Sequence, residues 1–337
     1  MLFLQIFLLV LGFALLVKGA DWFVDGSAGI AQKCKIPTLI IGLTIVAFGT
    51  SAPELAVSVT GAIKQSTDIA IGNVVGSNIV NILLILGISA ILHDLPVQKN
   101  SLILDLPVLL LASGLIIMLG CFGNALEWWD GILFLILIAA YMTVLVVNAR
   151  RESKKSAPLP EIEEDVRKEP EKPKNKLSAW FSHMQKKTWF LIVLTIVGLG
   201  MVVGGGMLLV DAARYIAEYF GVSERIIGLT VVAIGTSLPE LVTSVVAAVK
   251  GETDIAVGNI IGSNIFNILL VAGAASLFHP LSFSIEGNLV DAIVAFGAAA
   301  LLTVFALFKG HKLSKAAGIT MVVCFLAYYI YLFVMPV

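Results

Sequence analysis

The stretch TDIAIGNVVGSNIVNILL, residues 67–84, returns almost unchanged 186 residues later as TDIAVGNIIGSNIFNILL, residues 253–270. A second segment, GTSAPELAVSV at 49–59, returns at the same offset as GTSLPELVTSV at 235–245. Over the 54 aligned positions around these segments, about 33 are identical. Chance similarity between apolar segments would match mainly Leu, Ile and Val, whereas here the polar residues match as well. The sequence therefore contains an internal duplication.

The composition around these motifs is that of a membrane protein. Of 337 residues, 58% are hydrophobic and only 13% are charged, whereas a soluble domain carries about 25% charge. Uniformly apolar runs of about 20 residues favour membrane-spanning helices over barrel strands. Such runs occur at roughly 2–17, 37–63, 69–92, 101–120, 128–148, 189–210, 226–249, 255–278, 288–308 and 316–335. We therefore predict an all-α polytopic membrane protein with ten transmembrane helices.

These spans form two halves on either side of a charged segment. Residues 1–148 form the first five-helix repeat, residues 149–187 a linker rich in Lys, Glu and Pro, and residues 188–337 the second repeat. Because each half has an odd number of spans, the second copy must enter the bilayer from the opposite face. The sequence thus predicts two inverted repeats whose polar centres meet near the membrane midplane.

The basic residues predict the orientation. The linker holds about 11 of the 22 Lys and Arg residues, and such residues accumulate in cytoplasmic loops. We predict a multi-pass membrane protein with a cytoplasmic 149–187 linker and both termini outside. Its composition also predicts a disordered tether, since it has no apolar face to bury.

Glu54 and Glu240 are the residues that most need an explanation. An acidic side chain at the centre of a span costs on the order of 2.5–3.5 kcal/mol on insertion scales. Neither span has a Lys or Arg at comparable depth. The duplicated pair therefore indicates a partner from solution, namely a cation.

The neighbouring residues fit that partner. Pro53 and Pro239 directly precede the glutamates, and a proline inside a helix frees the carbonyl four residues earlier. On the next span, polar residues recur at intervals of four and so share one helical face. We interpret the outer pair, Asn73 and Asn259, as helix-packing residues, like the small-xxx-small glycine pairs 72/76 and 258/262. The candidate side-chain ligands are Thr50, Ser51, Glu54, Ser77, Asn81, Thr236, Ser237, Glu240, Ser263 and Asn267.

This ligand set consists of oxygen donors only. Without histidine or thiolate it favours a hard cation over zinc, copper or iron. Calcium accepts six to eight oxygens in flexible geometry, while magnesium holds its waters more tightly. The predicted partners are therefore a hard cation, with Ca²⁺ favoured, and the lipid bilayer. The sequence indicates no cofactor, no nucleic-acid partner and no obligatory protein partner.

With both GTSxPE and both GNxxGSNI segments, the chain resembles the calcium/cation antiporter superfamily, and within it the short prokaryotic sodium/calcium exchangers. The resemblance implies secondary antiport by alternating access across the plasma (inner) membrane, with Ca²⁺ and Na⁺ as the transported ions. It implies ion binding by the Thr, Ser and Glu of both GTSxPE segments and by the next span. It adds the backbone carbonyls of Ala47 and Ala233 as ligands and makes the first and sixth spans candidates for the moving gate.

Several alternatives remain open at this point. Some members of the superfamily have Asp at one of the positions that Asn81 and Asn267 occupy here, so this chain has only two central carboxylates. Ca²⁺/H⁺ exchange, K⁺-dependent Na⁺/Ca²⁺ exchange and antiport of another divalent cation are the alternatives within transport. A cation channel and an intramembrane hydrolase are the alternatives from other classes. No GxGD or HExxH motif supports the hydrolase.

Overall fold

The structure is a computed structural model, and it describes residues 2–34, 36–155, 184, 187–221, 233–285, 288–308 and 310–334. Nearly all of these residues are helical. The main segments are α1 Leu2–Cys34, α2 Thr38–Thr50, α3 Ala52–Ile63, α4 Thr67–Leu92, α5 Ser101–Gly123, α6 Trp128–Arg151, α7 Thr188–Tyr219, α8 Ala233–Thr236, α9 Leu238–Val249, α10 Thr253–Ser276, α11 Asn288–Leu307 and α12 Lys315–Leu332.

The predicted all-α membrane fold is confirmed in its general form. In the described part of the chain, eight helices are long and apolar enough to cross a membrane, or nine if α2 and α3 count as one bent span. The seventh predicted span, 226–249, begins outside the described residues, and its described part includes only α8 and the short α9. Most of the 149–187 linker also lies outside them. The first helix is longer than predicted and continues to Cys34.

The duplicated helices α4 and α10 form the centre of the bundle. In the most apolar 18-residue stretch of each helix, 78% of the residues of α4 and 94% of those of α10 are buried. In the other long helices this share does not exceed 39%. Small residues permit this burial. A Cβ on Gly258 would lie 2.8 Å from the Leu39 carbonyl oxygen, so α10 packs directly on the α2 backbone. Gly72 and Gly76, predicted to pack in the same way, have no such neighbour within 4 Å among the described residues.

Both helices that carry a glutamate begin at a break. Helices α2 and α3 meet at an angle of 45°, with Ser51 between them and Pro53 in the first turn of α3. In the second half, Ser237 lies between α8 and α9, and Pro239 occupies the first turn of α9. A proline is tolerated in a first turn because its missing N–H would have no intrahelical partner there. The sequence thus begins a new helix immediately before each glutamate.

The helices behind the breaks also depart from regular α geometry. Segments Val80–Leu86 and Asn267–Ala272 are π-helical, and they lie at corresponding places in the two halves. A π-helical turn inserts one more residue per turn and often marks a functional site. It changes the direction in which Asn81 and Asn267 project from α4 and α10.

Helices α1 and α7 cross at backbone contact through glycines. A Cβ on Gly12 would lie 2.8 Å from the Gly205 carbonyl oxygen, and a Cβ on Gly198 would lie 2.8 Å from the Gly19 carbonyl oxygen. Because glycines have no side chain, the axes of α1 and α7 approach each other more closely than larger residues at these four positions would permit.

Four very short strands join loops that are distant in sequence. Strand β1 (Leu95–Pro96) pairs antiparallel with β4 (Lys312–Leu313), and β2 (Ala125–Leu126) pairs antiparallel with β3 (Leu281–Ser282). Beside β1, Lys312 Nζ donates a hydrogen bond to Asp94 Oδ2 at 2.6 Å. This ammonium group holds the pKa of the exposed Asp94 below its ordinary value. Each pair connects the first half of the chain with the second.

Candidate ion-binding site

The two glutamates lie in the interior of the bundle. Glu54, in the first turn of α3, and Glu240, in the first turn of α9, are both 0% exposed. An acidic residue in a first turn is favoured electrostatically because the helix N-terminus carries partial positive charge. Neither glutamate belongs to any ion pair found among the described residues.

A serine from each half contacts the glutamate of the other half. Ser51 donates to Glu240 Oε1 at 3.1 Å, and Ser237 donates to Glu54 Oε1 at 3.4 Å. On α10, Ser263 also donates to Glu240 Oε1, at 3.4 Å. Ser51 and Ser237 each lie at the helix break just before the glutamate of their own half. Their contacts therefore bring the two breaks and both carboxyl groups to one place.

The threonines of the two breaks make a second reciprocal set of contacts. Thr50 donates to Asn259 Oδ1 at 3.1 Å and also lies 3.1 Å from the Val46 carbonyl oxygen of its own helix. Thr236 donates to Asn73 Oδ1 at 3.3 Å. Each threonine therefore contacts the central helix of the opposite half.

Several oxygens of this site have no hydrogen-bond partner within the described part of the chain. They belong to both glutamates and to α4 and α10, and all are buried. Those of the predicted ligands are Glu54 Oε2, Glu240 Oε2, Ser77 Oγ, Asn81 Oδ1 and Asn267 Oδ1, and Asn264 Oδ1 on α10 is a further one. Because buried polar groups are nearly always satisfied, and an unsatisfied one costs about 1–3 kcal/mol, these oxygens are available to a cation.

Seven of the ten predicted side-chain ligands take part in these hydrogen bonds, and the other three, Ser77, Asn81 and Asn267, lie buried on α4 and α10. The two predicted backbone ligands lie on the helices before the breaks. The Ala47 carbonyl oxygen accepts the Ser51 N–H at 3.0 Å. Ala233 is the first residue of α8.

Sequence reasoning missed two asparagines that hold the centre together. Asn267 Nδ2 donates to Asn78 Oδ1 at 3.1 Å, and Asn78 Nδ2 donates to the Asn264 carbonyl oxygen at 3.3 Å. Asn78 and Asn264 occupy corresponding positions within the GNxxGSNI segments, and the identity of this pair in the two halves was the signal that could have found them.

Two further carboxyl groups, the buried Asp105 and the partly buried Asp291, lie outside the centre. Tyr141 donates to Asp105 Oδ1 at 2.9 Å, and Tyr328 donates to Asp291 Oδ1 at 2.8 Å. Asp105 is only 2% exposed, so the tyrosine hydroxyl supplies a partner that water cannot.

A polytopic helical fold with two buried carboxyl groups amid neutral oxygens, at breaks in two helices, defines a membrane protein that binds cations. Comparison with known proteins identifies the particular class.

A family model described as sodium/calcium exchanger protein matches residues 4–147 and 190–334. The putative antiporter CaxA of Alkalimonas amylolytica is 37% identical over 335 residues, which cover 99% of each chain. The sodium/calcium exchanger MaX1 of Methanosarcina acetivorans is 33% identical over 356 aligned positions, again with 99% of each chain covered. A solved structure of the sodium-calcium exchanger NCX_Mj, soaked with Na⁺ and Ca²⁺, matches with a TM-score of 0.82 at 34% identity, covering 98% of this chain and 99% of that one.

The chain belongs to the sodium/calcium exchanger family, of the prokaryotic type within the calcium/cation antiporters. It is an integral multi-pass membrane protein that acts in cation antiport and is not an enzyme. The resemblance predicted from the duplicated motifs is thereby confirmed.

Proposed function

We propose that this protein exchanges Ca²⁺ for Na⁺ across the plasma membrane by alternating access, with both ions bound in turn between the two helix breaks. The proposed ligands are the twelve residues that the sequence singles out. They are Ala47, Thr50, Ser51, Glu54, Ser77, Asn81, Ala233, Thr236, Ser237, Glu240, Ser263 and Asn267, the two alanines through their backbone carbonyls.

The observation that carries this proposal is the cluster of buried oxygens without partners. They are two carboxylate oxygens, one hydroxyl and two amide oxygens, all from predicted ligands, and the contacts of Ser51 and Ser237 bring the two carboxyl groups together. Hard cations such as Ca²⁺ and Na⁺ prefer oxygen ligands, and Ca²⁺ tolerates the irregular geometry that two helix breaks provide.

Charge compensation explains why such a site would exchange ions rather than leak them. With both glutamates ionised, the empty site carries a charge of about −2, which is costly to move through an apolar barrier. One Ca²⁺ or two Na⁺ neutralise this charge, and three Na⁺ leave about +1. Loaded states can therefore change access from one face to the other, whereas the empty state cannot.

Reciprocal contacts support the proposed inverted repeats. Gly12 and Gly198 correspond at the 186-residue offset, as do Gly19 and Gly205, and the observed contacts run from Gly12 to Gly205 and from Gly198 to Gly19. A two-fold axis in the membrane plane would produce this exchange of partners. The same helices, α1 and α7, are the proposed moving gate.

The strand pairs support the proposed topology, in which each pair joins two loops on the same side of the membrane. Strands β1 and β4 join two loops that the basic residues predict to be cytoplasmic, and β2 and β3 join two loops predicted to be outside. The basic residues alone decide which side is cytoplasmic, and they assign the 149–187 linker to it and both termini to the outside.

The test is Ca²⁺ uptake by purified protein in liposomes with an imposed Na⁺ gradient. We expect ⁴⁵Ca uptake in the parent and its loss in both Glu54→Gln and Glu240→Gln. Glu218→Gln is the matched control, since Glu218 forms only an exposed ion pair with Arg214. Uptake at the parental rate in both glutamine variants would refute the ligand assignment.

Ion substitution in the same vesicles separates the alternatives. Uptake driven by a pH gradient without Na⁺ would indicate Ca²⁺/H⁺ exchange. A requirement for K⁺ would indicate K⁺-dependent exchange, competition by another divalent cation would broaden the substrate class, and currents far above carrier rates would indicate a channel.

A further inference from the structure

Asn73 and Asn259, interpreted from sequence as packing residues, occupy equivalent hydrogen-bond networks. Asn259 is 0% exposed. Its Oδ1 accepts the Thr50 hydroxyl at 3.1 Å, and its Nδ2 donates to Ser244 Oγ at 2.9 Å. Asn73 Oδ1 accepts the Thr236 hydroxyl at 3.3 Å. Its Nδ2 donates to Ser58 Oγ at 2.9 Å and to the carbonyl oxygen of Glu54 at 3.2 Å.

The chemistry of these partners fixes the orientation of the Asn73 amide. A backbone carbonyl can only accept, so the NH₂ group must face Glu54 and the amide oxygen must face Thr236. That oxygen competes with the Glu54 carboxyl group for the single hydroxyl proton of Thr236. When Asn73 takes the proton, both lone pairs of the threonine oxygen and the Glu54 oxygens are left for a cation.

Thr50 has several acceptors within reach. Its proton can go to a carbonyl of its own helix, at Val46 or Ala47, to the Glu240 carboxyl group or to Asn259 Oδ1 on α10. Each choice leaves the oxygen lone pairs free, but only the bond to Asn259 fixes the hydroxyl relative to the opposite half and also leaves the Glu240 oxygens to the cation.

We propose that Asn73 and Asn259 are positioning residues, each of which holds the threonine of the opposite half with its oxygen lone pairs facing the transported cation. This inference rests on the proposed function, in which Thr50 and Thr236 are ligands. The asparagines do not touch the ion; they determine how well the two halves share it.

Two double-mutant cycles test this assignment in the full-length protein. We expect Asn73→Leu to raise the KM for Ca²⁺ about three- to tenfold, the effect of one hydrogen bond. Thr236→Val should raise it by a similar factor. In the Thr236→Val background, Asn73→Leu should add less than about twofold, because the hydroxyl that it positions is already absent. Asn259 and Thr50 should behave in the same way.

The crossed pairs are the matched controls. Asn73 with Thr50, and Asn259 with Thr236, share no hydrogen bond in the described structure, so their effects on KM should multiply. If the asparagines had a purely structural role, the effects of the two substitutions on KM would multiply in the contacting pairs as well. That result would overturn the inference. An unchanged KM in Asn73→Leu and Asn259→Leu would also overturn it.

A second readout separates this inference from the proposed function. Binding of Ca²⁺ or Na⁺ to purified protein raises its Tm, and the same cycles can be measured from that shift without any transport. If the Na⁺-driven flux fails but the coupling persists in the Tm shifts, the exchange reaction is wrong and the positioning role stands. Asn73→Ser and Asn259→Ser, shorter and still polar, replace the leucine variants if those do not fold.

Discussion

At the scale of single residues, the site depends on serines that each bind the carboxyl group of the other half. Ser51 contacts Glu240 and Ser237 contacts Glu54. A hydroxyl that donates to a carboxylate forms a charge-assisted bond, which is stronger than a neutral one. The serine oxygen retains lone pairs, so in the proposed site one side chain would both orient the carboxyl group and supply a ligand.

We predict that Ser51→Ala raises the KM for Ca²⁺ about tenfold or more. The substitution removes a hydrogen bond to a charged group, typically about 1.5–3 kcal/mol, and one ligand oxygen. Na⁺-driven ⁴⁵Ca uptake over a range of Ca²⁺ concentrations measures the change. Ser89→Ala is the control, because Ser89 is equally buried but bonds only to the Ile85 carbonyl of its own helix. Equal effects of the two substitutions would contradict the role of Ser51.

We predict that Asn81→Asp makes Ca²⁺ affinity depend more steeply on pH. Both polar atoms of the Asn81 side chain lack partners in the described structure, so aspartate fits without breaking a bond. When ionised, it adds a third negative charge and strengthens cation binding, and protons compete for it. The ratio of variant to parental KM should therefore fall as pH rises from about 6 to 9. The exposed loop substitution Asn124→Asp should leave this ratio constant, and a constant ratio in Asn81→Asp would exclude the effect.

The residues of this site could be predicted from the sequence, but their contacts could not. Polar residues at membrane depth are rare enough to be recognised singly, so Glu54, Ser77 and Asn81 stand out. Ser51 lies next to Glu54 in sequence, yet it bonds to Glu240. Spacing along one helix reports which residues share a face; it does not report which residue of another helix that face meets.

At the scale of elements, glycines determine how closely α1 and α7 approach. A Cβ on Gly198 would lie 2.6 Å from the backbone nitrogen of Phe23, a contact that no side-chain rotation can relieve. Gly200, two residues further along the same helix, has no neighbour within 4 Å among the described residues. The same helix thus provides a test position and a control position.

We predict that Gly198→Ala destabilises the protein by about 1–3 kcal/mol, the cost of overpacking, and lowers its Tm in detergent. Gly200→Ala should leave the Tm unchanged or raise it slightly, because alanine is the better helix former. Differential scanning fluorimetry of the purified variants measures both. Equal Tm values for the two would mean that the α1–α7 crossing is less close than the structure has it.

The elements also show where prediction from sequence ends. The helix breaks follow from Pro53 and Pro239, whose positions exclude a continuous helix. The strands β1 to β4 have two residues each, too few for any alternation of apolar and polar side chains. Their pairing depends on the arrangement of the helices that they connect, which the local sequence does not contain.

At the scale of the whole molecule, an ion-pair cluster distinguishes the two halves. Lys250, directly after α9, contacts Asp21 and Asp25 of α1, each at 2.5 Å. The residues that correspond to Lys250 and Asp25 in the other half, Lys64 and Asp211, form no ion pair with each other in this described structure. Ion pairs thus join the end of α9, which carries Glu240, to the proposed gate helix α1. Among the described residues, no corresponding ion pair joins the end of α3 to α7.

If α1 moves during alternating access, the contact between Lys250 and Asp25 must open once in each cycle. We therefore predict that a short reducible thiol cross-linker between Lys250→Cys and Asp25→Cys stops Ca²⁺ uptake and that reduction restores it. The background must lack the three free cysteines, Cys34, Cys121 and Cys324. Lys64→Cys with Asp211→Cys, built in that background, should cross-link less readily, because its native side chains do not meet. Cross-linked protein that transports at the parental rate would show that α1 and the end of α9 move as one body, and the gate would then have to lie elsewhere.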